Sequence, residues 1–157
     1  MVAPITIKNI WDLFDLRLIL EVTATERAAQ NPSSEQIAKL KEMAVVSYDL
    51  DDPESHTIFL KTNRNFHLAL AESASNERLV DMLCKLLKVK DRLFYLGLRL
   101  RDSSEEMTRE HQEVVAALEI GDVQGACKTV STQIMNSRDR ILEAIMQGEI
   151  KTVQVSG

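Results

Sequence analysis

Apolar residues recur at steps of three and four along almost the whole chain. That spacing places them on one face of an α-helix. In the first such stretch, from Ile10 to Ala29, the pattern continues for about twenty residues, with Arg17 and Glu21 on the same face as the apolar residues. No stretch shows the strict two-residue alternation of a half-buried strand. The pattern therefore predicts a chain built of helices, with no sheet.

Helix-starting and helix-ending residues divide this pattern into segments. Ser33 followed by Gln36, and Ser103 followed by Glu106, have the capping-box spacing of a helix start. Gly121 is the residue type that commonly ends a helix. Because the connections are short, neighbouring helices should pack antiparallel, in an all-α bundle of six to seven helices. The predicted helices cover about residues 10–29, 33–48, 56–74, 77–98, 103–119 and 122–145.

Composition and charge narrow the class of protein. A chain of 157 residues with 45% hydrophobic and 27% charged residues suits one globular domain. Its net charge of −5 gives no general attraction to a phosphate backbone. Lys and Arg in residues 85–92 are interspersed with Leu, Val and Asp, so we interpret this stretch as a solvated helix face. We therefore expect no DNA binding by this domain alone.

Three features of the sequence predict a cytoplasmic protein without a membrane partner. Cys84 and Cys127 lie in apolar stretches without metal-binding spacing, which favours buried free thiols in a reducing compartment. The first residues lack the basic start and continuous apolar run of a signal peptide. No apolar run reaches the roughly 18 residues that a membrane span requires.

Four polar residues interrupt the apolar faces of the predicted helices. Asn63 and His67 lie one turn apart on the third helix, His111 lies on the fifth, and Gln133 lies on the sixth. Burying an unpartnered polar group costs on the order of 1–3 kcal/mol. If these side chains point inward, they should meet each other, water, a metal ion or a ligand. Periodicity alone leaves open that each is a satisfied residue at the edge of the core.

Three stretches of the chain resemble motifs of a known family. Residues 13–21 read LFDLRLILE, residues 63–79 contain NFHLAL and NERL, and residues 110–126 begin EHQEVVAALEIGD. In this order and spacing they are similar to the FCD domain, the C-terminal effector domain of the FadR branch of GntR-type transcription regulators. The likeness extends over about residues 8–145.

This resemblance implies a domain organisation and a function. Residues 1–7 would be the end of a linker after a winged helix-turn-helix module that is absent from this sequence. Residues 8–150 would form an effector-binding and dimerisation domain, and residues 151–157 a tail. Such a domain binds a small organic acid in its bundle core, forms a homodimer, and controls DNA binding through the absent module.

The resemblance also implies the residues of a site. Metal-binding members of the family hold a divalent ion with one Asp and three His, and the matching positions here are Asn63, His67, His111 and Gln133. The two amides remove a negative charge and an imidazole. The resemblance therefore implies either a weakened zinc or nickel site at His67 and His111, or a metal-free pocket in which all four side chains hydrogen-bond a carboxylate effector.

A further site residue follows from the opening motif. Arg17 matches a recurrent arginine of the family and could clamp a carboxylate at two points. The alternative is an ion pair between Arg17 and a Glu on another helix.

Two other classes of function stay open. One is a small metal-dependent enzyme using His67 and His111, and the other is a purely structural dimerisation module. No Ser or Cys has the neighbouring base of an activated nucleophile, so we expect no enzymatic activity.

Overall fold

The computed structural model describes residues 5–98, 100–148 and 153–154, except for the side chains of Leu96, Val153 and Gln154. In these residues the fold is a bundle of six helices, and the predicted all-α class is confirmed. The only extended pairing described is two residues long, between β1 (Ile5–Thr6) and β2 (Val153–Gln154), which run parallel. The helices are α1 Ile7–Gln30, α2 Ser34–Ala44, α3 Pro53–Glu72, α4 Glu77–Gly97, α5 Ser104–Glu119 and α6 Val123–Met146.

The predicted linker and tail lie largely outside the described residues. Residues 1–4 of the linker and residues 151–152 and 155–157 of the tail are not among the described residues. What is described of the two segments is mainly the short pair between Ile5–Thr6 and Val153–Gln154. This pair places a segment after the last helix beside the start of the first.

α1 begins three residues before the predicted start at Ile10, because it has a cap that the pattern did not identify. The Thr6 hydroxyl accepts a hydrogen bond from the Asn9 backbone N–H over 3.1 Å, and the Asn9 side-chain oxygen accepts one from the Thr6 backbone N–H over 3.0 Å. This is a reciprocal capping box with Asn in place of the usual Glu or Gln.

α5 begins where predicted, but without the predicted capping box. Ser103 makes no capping hydrogen bond with its side chain, and the Ser104 N–H is instead bound by the Asp102 carboxylate over 2.8 Å. Glu106, the other member of the predicted pair, forms a 2.7 Å ion pair with Arg101. A carboxylate is the better acceptor for an unpaired N–H at a helix start.

α2 ends at Ala44, one turn before the predicted end at Tyr48. The Val46 N–H donates to the Thr108 hydroxyl over 3.0 Å, and that hydroxyl donates back to the Val46 carbonyl over 3.1 Å. A side chain of α5 therefore uses the backbone groups that would have continued α2. The carbonyl of Ala44 is consequently available to a side chain.

α1 has the most neighbours in the bundle. It packs against α3, α4, α5 and α6, most extensively against α6. α2 covers α3 and α5. A second, smaller apolar cluster joins α1, α3 and α4. The most deeply buried side chains of the main core include Ile10, Phe14, Phe59, Phe66, Val114, Val130 and Ile134.

The cysteines and the possible membrane segments complete this description. Cys84 and Cys127 are free thiols, and each is half-buried rather than fully buried as predicted. Within the described residues, no helix has both the length and the apolar character needed to cross a bilayer.

Candidate functional site

All five residues predicted to line a site are buried. Arg17 on α1, Asn63 and His67 on α3, His111 on α5 and Gln133 on α6 each expose at most 4% of their surface. The alternative that the four uncharged polar residues lie at the edge of the core is therefore wrong. Polar groups buried this deeply are normally hydrogen-bonded, so we ask which partner, if any, the structure provides for each of them.

Glu21 is a further buried polar residue, and its carboxylate binds two of these five side chains. Its side chain is 1% exposed. Arg17 Nε donates to Glu21 Oε1 over 2.7 Å, and His67 Nδ1 donates to Glu21 Oε2 over 2.6 Å. Arg17 thus pairs with a Glu one turn along its own helix, not on another helix. Through His67, the same carboxylate links α1 to α3.

The Glu21 carboxylate is ionised and fixes the tautomer of His67. Burial alone would raise the pKa of Glu21, but the charge of Arg17 and the hydrogen bonds from His67 and Arg17 outweigh it and lower that pKa to about 2. Burial lowers the pKa of His67 more strongly than Glu21 raises it, so the ring is neutral. A neutral imidazole that donates from Nδ1 has an unprotonated Nε2. His67 can therefore accept a hydrogen bond there or bind a metal.

His111 has the same tautomer for a different reason. Its Nδ1 donates to the Ala44 carbonyl over 3.2 Å, and its ring stacks on Phe66 with centroids 4.1 Å apart. Burial is the main cause that lowers the pKa of His111 to about 3, and a proton on His67 would lower it further. The ring centroids of His67 and His111 are 5.7 Å apart. Two neutral imidazoles with unprotonated Nε2 atoms thus lie side by side.

Four of the predicted residues carry a buried polar atom that has no hydrogen-bond partner among the described residues. The atoms are Arg17 Nη1, Asn63 Oδ1, His111 Nε2 and Gln133 Oε1. They come from four helices, and each unpartnered atom costs roughly 1–3 kcal/mol. The described structure gives Gln133 no hydrogen bond to the other residues; its place is fixed by its burial on α6, which packs on α1 and α5. A ligand that both donates and accepts hydrogen bonds could satisfy all four.

Lys90 on α4 is a buried cation that the charge pattern did not reveal. Its side chain is 1% exposed, its Nζ lies 2.8 Å from Asp91 Oδ1, and it approaches the Phe94 ring at 5.4 Å. Lys85 and Lys88 in the same stretch are exposed, as a solvated face requires. The interpretation of residues 85–92 as such a face is therefore wrong for Lys90 and Asp91.

The donor set fits a firmly held metal ion poorly. Among the described residues, no group of three or more His, Cys, Asp or Glu side chains is arranged to hold a metal ion. His67 and His111 are two suitable ligands, but Asn63 and Gln133 offer only amide groups. Zinc and nickel prefer imidazole, thiolate or carboxylate to an amide oxygen.

The site falls within the part of the chain that matches a protein family. A family model described as the FCD domain matches residues 12–136, which include Arg17, Glu21, Lys90 and Gln133. A comparison with curated proteins gives no match.

The buried histidines should make stability depend on pH. The folded pKa of His111, about 3, lies below the ordinary histidine value of 6.5, and that of His67 is also lowered. Between these values the unfolded chain binds more protons, so the unfolding free energy should fall as pH drops below about 6.5. His111→Gln should reduce this slope by up to about 1.4 kcal/mol per pH unit, measured by urea unfolding at several pH values.

Gln112→His is the matched control, because position 112 is exposed. A histidine there should titrate alike in both states and leave the slope unchanged. A His111→Gln slope equal to that of the original chain would contradict the assignment of a neutral, buried ring.

Proposed function

The chain belongs to the family of FCD domains, which bind effectors in GntR-type transcription regulators, and from this premise we propose that it senses a small carboxylate metabolite inside its bundle. FCD domains of these regulators are regulatory rather than enzymatic. The observation that supports the proposal is the set of buried, unpartnered polar atoms on Arg17, Asn63, His111 and Gln133. A fold that needed only packing would not bury them, because each destabilises the folded chain.

Arg17 is the residue proposed to bind the ligand carboxylate. Glu21 holds its Nε, which fixes the guanidinium and leaves Nη1 without a partner among the described residues. Hydrogen bonds between a guanidinium and a carboxylate are among the stronger ones in proteins. The remaining N–H groups of Arg17 can therefore bind an acid without breaking the pair with Glu21.

The other site residues favour an acid that also carries a hydrogen-bond donor. His67 and His111 each present an unprotonated Nε2, and Nε2 can only accept a hydrogen bond. The amides of Asn63 and Gln133 each offer one acceptor and one donor group. A hydroxy acid matches this set better than a plain fatty acid, because its hydroxyl can donate to an imidazole.

The proposed signal is a shift of α1. This helix carries both Arg17 and Glu21 and packs against four other helices. In GntR-type regulators the DNA-reading module precedes the effector domain, so α1 is the helix placed to relay a change to it. Such a relay requires the ligand to prefer one arrangement of α1 over another.

Homodimerisation is the second part of the proposal. On α4, Met82 and Val89 are 52% and 40% exposed and lie on one face, with the half-buried Leu86 between them. Exposed apolar groups on one helix face often mark an interaction surface. A second copy of the chain is the occupant that the family suggests.

Thermal denaturation with acetate, lactate, succinate or citrate tests the sensor. At least one acid should raise the melting temperature, since a ligand present at about 100 times its Kd stabilises the folded state by about 2.7 kcal/mol. Gln133→Leu should remove most of that shift, and Gln112→Leu, at an exposed position on α5, should preserve it. No shift with any acid would favour the purely structural module, and turnover of an acid in the presence of metal would favour the enzyme.

Restoring the family's metal ligands tests the position of the site. Asn63→Asp combined with Gln133→His should raise the affinity for Ni²⁺ or Zn²⁺ by about tenfold or more, because it supplies a carboxylate and a third imidazole. Isothermal titration calorimetry measures the gain, and Asn63→Asp alone should give an intermediate value. Equal metal affinity of the original chain and the double variant would count against convergence of these side chains.

Sedimentation velocity tests the dimer. The original chain should sediment as a dimer, and Met82→Glu with Val89→Glu should shift it to monomer by placing like charges in the interface. Ile58→Glu is the control, because Ile58 is 59% exposed on a different helix, α3. A monomeric original chain would refute the proposed dimer, and a dimeric double variant would refute α4 as its surface.

A further inference from the structure

Lys90 is a charged residue in a buried position, where an apolar side chain would be expected. Its ammonium group is almost fully buried on α4, in a stretch whose other lysines reach solvent. It follows Leu83 and Leu87 on the buried face of α4, which packs against α1 and shares an apolar cluster with Ala24 of that helix. A buried ammonium is expensive to keep unless a counter-charge and hydrogen bonds compensate it.

The counter-charge that the protein provides is incomplete. Lys90 Nζ lies 2.8 Å from Asp91 Oδ1, yet that oxygen has no well-directed hydrogen bond among the described residues, so the approach is oblique. The other oxygen of Asp91 accepts a hydrogen bond from Arg64 Nη1. Asp91 therefore serves two cations at once, and its better contact is with Arg64.

Among the described residues, three cations around this site, one of them the 23% exposed Arg64, consequently share two carboxylates. The cations are Arg17, Arg64 and Lys90, and the carboxylates that face them are Glu21 and Asp91. Three positive charges against two negative charges leave one in excess. Burial lowers the pKa of Lys90, Asp91 raises it, and the positive charge of Arg17 lowers it further, because the two cations repel each other. An anion between the two would relieve both the excess and the repulsion.

We propose that Lys90 is the residue that selects an anionic effector, by binding the ligand carboxylate together with Arg17. This inference deepens the function proposed above and rests on it. On binding, the carboxylate replaces Asp91 as the partner of Lys90, and Asp91 keeps its contact with Arg64. Each cation then has its own carboxylate: Arg64 has Asp91, Arg17 has Glu21 and shares the ligand, and Lys90 has the ligand.

The geometry allows this exchange at little cost. Lys90 has a flexible side chain with three donor hydrogens, so the ammonium can turn from Asp91 to a ligand. Asp91 loses only an oblique contact, and Arg64, whose side chain is 23% exposed, holds it toward the surface. Neither Asp91 nor Lys90 is left as an unpaired buried charge.

The test compares each acid with its uncharged amide. Lactate is paired with lactamide and succinate with succinamide, and the melting temperature and Kd are measured for the original chain, Lys90→Met and Lys88→Met. Lys88 is exposed on the same helix and is the matched control. The original chain and Lys88→Met should bind the acid at least about tenfold more tightly than the amide, and Lys90→Met should lose most of this preference, keeping only the part that Arg17 supplies.

Two measurements separate a binding effect from a folding defect. Urea unfolding without ligand should show Lys90→Met folded, since replacing a buried charge by an apolar side chain of similar length is often tolerated. Lys90→Gln, which keeps a polar end without the charge, should lose the preference for the acid in the same way.

The outcomes distinguish this inference from the proposed function. If no acid stabilises the original chain, the sensor fails and this inference fails with it. If an acid stabilises the original chain and Lys90→Met equally, the sensor stands and the role of Lys90 is overturned. If acid and amide bind the original chain equally, the site binds a small molecule without selecting its charge, and the inference is again overturned.

Discussion

The two hydrogen bonds to the Glu21 carboxylate are the interaction on which the site depends. They join α1 to α3, compensate the buried Arg17, and set which nitrogen of His67 carries the proton. Breaking a buried charge pair from one side typically costs about 3–5 kcal/mol, because the remaining charge has no partner. The pair also satisfies only part of the Arg17 guanidinium. One carboxylate thus makes the arginine stable in the core and leaves it able to bind a further group.

The helices could be predicted from the sequence because a period of three to four residues reflects which side of each segment is buried. Their ends were predicted less well, for reasons that lie elsewhere in the chain. Thr108 on α5 ends α2 by binding the backbone of Val46, and this contact joins residues 62 positions apart. At the start of α5, the Asp102 carboxylate binds the Ser104 N–H, and the Ser103 side chain makes no capping hydrogen bond. The spacing of residues shows neither this choice between adjacent acceptors nor the distant contact of Thr108.

The site could be predicted in part. Asn63, His67, His111 and Gln133 are polar residues in apolar stripes, and all are buried, whereas their partners depend on the packing of different helices. The burial of Lys90 was not predicted, because it lies among other charged residues in a stretch that resembles a solvated helix face. The signal for it was its position in the stripe Leu83, Leu87, Lys90 and Phe94, all buried on α4.

The early end of α2 has a consequence for the chemistry of His111. If the helix had continued to Tyr48, the Tyr48 N–H would have bonded to the Ala44 carbonyl, four residues earlier in the usual helical ladder. The imidazole would then share this carbonyl with the Tyr48 N–H, which would weaken the hydrogen bond that keeps the proton on Nδ1 and away from Nε2. The length of α2 therefore influences whether His111 offers a ligand a hydrogen-bond acceptor or a hydrogen-bond donor at Nε2.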